Sequence, residues 1–169
     1  MANMNFESMD TIAAYGFQGF IKISDLRASG CKEIPPNQGI YLVLRPLTSF
    51  PKLVYPSTGG YFKGKDPTVP LDELNNHWVE GTIVVYIGKA GGVNSTRTLR
   101  DRLQTYLKFG EGKPVAHWGG RYIWQLADAD ELVICWKTTP RSDPALEEKK
   151  LIRAFAARYC KRPFANLRS

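Results

Sequence analysis

Three six-residue runs constrain this chain more than anything else in it: Gly39-Ile40-Tyr41-Leu42-Val43-Leu44, Thr82–Ile87 and Leu132–Lys137. β-Branched and aromatic residues dominate them, and turn-forming residues separate them, so each reads as a strand. The second run hardly alternates, which predicts burial on both faces. Between the second and third runs, Leu99, Leu103 and Leu107 recur every four residues and predict a helix over 98–109. After the third, Asp143 suits an N-cap and Pro144 a first helical turn, with a helix to about Tyr159 and Pro163 beyond it. The order β, β, α, β, α predicts a small α/β domain of the α+β kind. Its expected core is a three-stranded, mainly antiparallel sheet flanked by helices.

The rest of the chain divides around these elements. Residues 1–38 form a mixed leader ending in Ile34-Pro35-Pro36-Asn37-Gln38, and residues 39–169 form the domain proper. Residues 47–81 carry Pro51, Pro56, Pro67 and Pro70 and glycines at 59, 60, 64 and 81. They read as a long insertion between the first two strands, with one short helix around Leu71–Val79. Gly88-Lys89-Ala90-Gly91-Gly92 reads as a turn, 110–120 as a loop and Arg121–Leu126 as a short helix. No repeat and no low-complexity segment is present. At 169 residues, one domain can bury a core without disulfide or metal staples.

Charge is unevenly spread. Residues 1–85 hold 7 basic and 8 acidic side chains, whereas residues 86–169 hold 16 and 8. A positive field concentrated in one half suits a polyanionic partner, and nucleic acid is the expected one. No apolar run is long enough to cross a bilayer. The acidic start MANMNFESMD lacks the features of a secretory signal, so a cytoplasmic protein without membrane contact is expected. Cys31, Cys135 and Cys160 are far apart and only His77 and His117 accompany them. That argues against a structural zinc site and for free thiols.

Gly39-Ile40-Tyr41 and Tyr86-Ile87-Gly88 each lie on a predicted strand. An arginine-bearing helix, a glutamate-bearing helix and an asparagine follow them in order. On these residues the chain resembles the GIY-YIG endonuclease superfamily over about residues 39–166, apart from insertions. Tyr86–Ala90, Leu99–Tyr106 and Glu148–Ile152 look like the nuclease domain of the bacterial excision-repair incision subunit, whose other domains are absent. The resemblance implies a metal-dependent endonuclease that hydrolyses DNA, with RNA as an alternative substrate. Tyr41 and Tyr86 match the two family tyrosines, one of which helps deprotonate the attacking water. Lys89 sits where an ammonium would lower a phenol's pKa. Arg102 matches the arginine that holds the scissile phosphate, and Tyr106, four residues on, is counted with it in the catalytic set that the resemblance implies. Glu148 matches the single carboxylate ligand of a Mg²⁺ or Mn²⁺ ion, and Asn166 an orienting group.

Helical projection supports one of these matches. Glu148 falls near the middle of the stripe Leu151, Ile152, Phe155 and Tyr159, with Glu147 roughly 95° away. A carboxylate aimed there is costly unless a cation meets it. Projection does not select the arginine, because Arg100 lies nearer the leucine stripe than Arg102. Arg97, Arg100, Lys108, Lys113, His117 and Arg121 are expected to contact nucleic acid, with Lys63 and Lys65 as further candidates. His117 could equally serve as a second base or cap a loop. The tyrosines could be strand aromatics, and Glu148 an ion-pair partner of Arg153 or Arg102. A binding module without catalysis, or a subunit that docks a protein partner through residues 1–38, are the rival readings.

Overall fold

The computed structural model describes residues 4–167. Four strands form one antiparallel sheet: β1 (Gln18–Lys22), β2 (Gly39–Leu44), β3 (Val84–Ala90) and β4 (Val133–Thr138), in the spatial order β1-β4-β2-β3. Five α-helices accompany it: α1 (Met9–Ala14), α2 (Ile23–Ser29), α3 (Leu71–His77), α4 (Leu99–Gly110) and α5 (Pro144–Tyr159). The class is α+β. The sheet has one strand more than the sequence predicts, and that strand comes from the leader. The leader thus contributes a strand to the sheet, because Gln18–Lys22 pairs with Val133–Trp136.

Packing explains the layers. β2 is central, with every residue buried. Tyr41 and Val43 share one face of the core with Leu99, Leu103 and Leu107 of α4. Ile40, Leu42 and Leu44 point the other way and meet Leu151 and Phe155 of α5. Both helices start with side-chain caps. Thr98 forms a capping box with Asp101, and the Asp143 side chain accepts from the Ala145 N–H before Pro144 opens α5.

The 47–81 insertion links strands that pair directly, β2 with β3. It is tied down through a buried glutamine. Gln125, in the 3-10 turn Arg121–Gln125, accepts from the Val69 N–H at 2.9 Å and donates to the Val69 and Val54 carbonyls at 3.0 and 3.2 Å. Three element limits differ from the sequence reading. The second strand starts later and runs on through Gly88-Lys89-Ala90, which the sequence presents as a turn. The helix in the insertion ends at His77, and the element from Arg121 is 3-10 in character. No helix among the described residues is long and apolar enough to cross a membrane.

β3 is an edge strand, and the C-terminal segment covers that edge. The Ala165 N–H donates to the Val85 carbonyl at 2.9 Å. The Asn166 side chain then imitates a strand peptide, accepting from the Ile87 N–H and donating to the Ile87 carbonyl, both at 2.9 Å.

Candidate active site

The antiparallel register brings the two tyrosines together. Tyr41 lies opposite Gly88, and Tyr86 is two residues from Gly88 on the same strand. Side chains two apart share a face, so the rings meet diagonally, with centroids 6.0 Å apart and planes tilted by 58°. The glycines of both triplets have steric causes. A β-carbon on Gly88 would overlap Tyr41 Cζ and lie 2.8 Å from Cε1. One on Gly39 would overlap the Lys137 carbonyl and lie 2.9 Å from Leu99 Cδ1.

A recess of about 330 Å³ opens where these strands meet α4 and α5. Tyr41, Tyr86, Lys89, Ser95, Arg102 and Glu148 line it. Five of the seven residues that the sequence assigns to catalysis thus share one cavity. Arg102, not Arg100, is the arginine in it. Arg100 reaches back instead, its Nε donating to the Ile34 carbonyl at 2.7 Å and Nη2 to the Lys32 carbonyl at 3.2 Å. Glu148, not Glu147, is the carboxylate in it, and Glu147 pairs with Lys150 at 3.3 Å.

Glu148 is half-buried and has no ion-pair partner among the described residues, neither Arg153 nor Arg102. Burial raises its pKa, and the positive charges of Lys89 and Arg102 oppose that rise. A half-buried carboxylate on a small cavity is a hard oxygen donor of the kind that Mg²⁺ or Mn²⁺ takes, while the positive charges of Lys89 and Arg102 would oppose an ion there. No group of three His, Cys, Asp or Glu side chains able to hold a metal occurs among the described residues. Glu148 is the carboxylate that lines the recess, so an ion here would take one protein carboxylate and fill its shell with water and phosphate oxygens, the arrangement Mg²⁺ commonly adopts.

The phenols are not easily ionised. Burial pushes Tyr86 up to about 12 and Tyr41 well above its ordinary value. The cation that opposes this is Arg102; Lys89 instead acts on Glu148. The expected effect of Lys89 on a phenol is thus taken over by the guanidinium.

Tyr106 and Asn166, the other two assigned residues, lie outside the recess. The Tyr106 hydroxyl donates to the Gly120 carbonyl at 2.6 Å and its ring stacks on His117, with centroids 3.9 Å apart and planes 10° apart. Asn166 holds β3 at Ile87, between Tyr86 and Gly88. Both position the residues that face the cavity.

His117 is fully buried and sits behind Tyr41, out of reach of a surface phosphate. Its Nδ1 lies 2.8 Å from the Gly119 carbonyl, so Nδ1 carries the proton. Nε2, 3.3 Å from the Tyr41 hydroxyl, is then the acceptor, and Tyr41 donates to it. This commits the phenol's proton inward and leaves its oxygen lone pairs for the recess. The segment Lys113–Arg121, which the triplet motifs leave unexplained, thus forms the back wall of the tyrosine pair. Gly120 is glycine because a β-carbon would meet Tyr106 Oη at 2.5 Å and Tyr86 Cζ at 2.9 Å, at a backbone φ of +77°. Only the unusual His-Trp-Gly-Gly-Arg string hints at this in the sequence. Lys108, Lys113 and Arg97 are exposed, as phosphate contacts require, and Arg121 stacks over Trp118 at 4.5 Å. Lys63 and Lys65 sit on the turn that closes at Phe62 and Lys65.

Burial, and then Arg102, lower the His117 pKa to about 3. The unfolded chain binds that proton near pH 6.5. Stability is therefore complete above about 6.5 and falls as pH drops towards 3, by about 1.4 kcal/mol per pH unit. At pH 5 the loss is about 2 kcal/mol. In His117→Gln the amide can replace both hydrogen bonds without titrating. Urea midpoints should fall between about pH 7.5 and 5 in the wild type and fall less in the variant. Equal falls would show that His117 is not held neutral.

Compared with protein-family models, with curated proteins and with solved structures, the chain matches none of them.

Proposed function

We propose that this chain is a GIY-YIG-type endonuclease that hydrolyses DNA phosphodiester bonds with one Mg²⁺ or Mn²⁺ ion. The observation that carries the reading is the shared recess: two strand phenols, a helix guanidinium, an ammonium and a lone half-buried carboxylate around one small cavity. That set matches what phosphodiester hydrolysis requires. Arg102 offers a planar fork for the phosphate and for the charge that grows on it. Tyr41, its proton donated to His117, presents an acceptor that orients the attacking water. Tyr86 takes the water's proton only as its phenolate, so it first releases its own proton to solvent, a loss that burial makes harder and the Arg102 charge makes easier. Glu148 would hold the ion, which supplies Lewis-acid stabilisation of the phosphate and leaving oxygen when bound. The basic second half of the chain supplies backbone affinity, so binding should weaken steeply with salt.

A supercoiled-plasmid assay tests this. Wild type should nick DNA with Mg²⁺ or Mn²⁺ and not with EDTA. Glu148→Ala should bind DNA and leave it intact. No cleavage by the wild type under either ion would sink the reading in favour of a binding module that shares the fold.

A further inference from the structure

A second, larger cavity of about 900 Å³ adjoins the recess and shares Tyr86 and Glu148 with it. One wall is α5, where Lys149, Ile152, Arg153 and Ala156 follow the i, i+3, i+4, i+7 spacing of a single helix face. The other wall is the loop from Trp118 together with the C-terminal segment, including Arg162 and Ala165. From Glu148 to Ala156 the helix advances about 12 Å, so the cavity is a groove leading away from the recess. Its floor is apolar, through the part-exposed Ile152 and Ala156, and its rim is basic, through Lys149, Arg153 and Arg162.

The charges on α5 are sorted. Lys150 and Arg158, on other faces, pair with Glu147 and Glu7. Lys149 and Arg153 at the groove, and Arg162 across it, form no ion pair or hydrogen bond among the described residues. A basic rim over an apolar floor calls for a ligand that has both phosphates and flat apolar faces. Duplex DNA offers only the first, because its base faces are stacked inside. An unpaired strand offers both.

We propose that the groove takes unpaired DNA nucleotides adjoining the scissile phosphate, so that the substrate is DNA with a single-stranded segment at the cleavage point. The placement beside the scissile phosphate rests on the endonuclease reading above. The groove's charge and shape stand apart from it.

Binding by the full chain, read by fluorescence anisotropy in EDTA so that nothing is cut, separates the two. The probes are a blunt duplex and the same duplex with a short single-stranded extension. Wild type should bind the extended probe several-fold more tightly, the gain from laying one base on the apolar floor and its phosphate on the basic rim. Arg153→Glu, at an exposed position, should collapse that ratio and lower the salt slope. Ala156→Trp, checked for folding by circular dichroism, should collapse the ratio by filling the floor and leave the salt slope unchanged. Equal affinity for the two probes, or a preference that survives both substitutions, overturns the proposal. If the preference behaves as stated but the wild type cuts no DNA, the endonuclease reading alone falls. If it cuts DNA but shows no preference, the groove proposal alone falls.

Discussion

Arg102→Lys is expected to lower the rate of DNA cleavage by about 10²–10³-fold, the cost of removing one preorganised donor from developing charge. DNA affinity should change little, since the charge is kept. Lysine supplies a point charge where a bidentate fork is needed. The reason to expect so large an effect is position. Arg102 lines the recess with Tyr41, Tyr86 and Glu148, and its charge acts on all three. It is anchored there by donation to the Ala116 carbonyl at 3.3 Å. Single-turnover rates beside equilibrium binding provide the measurement. A lysine variant that cuts at the wild-type rate would mean that Arg102 does not touch the phosphate. Arg102→Gln, which removes the charge, should also raise the pH at which His117 titrates. Imidazole nitrogen resonances would report that shift.

Gly88→Ala should both destabilise the protein and silence it. The added methyl has nowhere to go except into the Tyr41 ring, which is fully buried. Overpacking of this kind costs about 3 kcal/mol, or roughly 6–12 °C in Tm for a chain of this size. The same displacement breaks the Tyr41–His117 hydrogen bond. A double-mutant cycle isolates the cause: in a Tyr41→Ala background, Gly88→Ala should cost far less. Additive losses would mean that the glycine is required for another reason.

The two predictions also separate what a sequence can display from what only folding creates. β2, β4, α4 and α5 announce themselves through apolar runs, leucine spacing and caps, all of which are local. β1 does not. Its ladder with β4 is broken between Gly19 and Ile21, and Phe20 adopts φ +59°, so the alternation that marks a strand is lost. Gly88-Lys89-Ala90 looks like a turn because glycine weakens strands, yet here glycine makes room for an aromatic ring on the neighbouring strand.

Among the site residues, Glu148 is legible by helical projection, because a carboxylate on an apolar stripe stands out. The arginine is not. A long side chain's destination depends on what lies beyond its Cβ, and the carbonyls of Ile34 and Lys32 claim Arg100. The His117 hydrogen bond to Tyr41 joins residues 76 apart in sequence, so no local pattern could reveal it. Burial by tertiary packing sets the acidity of both phenols. Lys89, three residues after Tyr86, is not among the charges that act on them.

The place of β1 has a consequence for how the chain is made. Gln18 and its neighbours are synthesised more than a hundred residues before their partners, Val133–Trp136. Until those partners emerge, this segment has no ladder to join. In the folded sheet, the kinked backbone at Phe20 guards the outer edge of β1 against pairing with a neighbouring chain. Closure of the sheet must wait until β4 has emerged. Such long-range pairing slows folding, so the barrier should lie late, when β1 and β4 first meet.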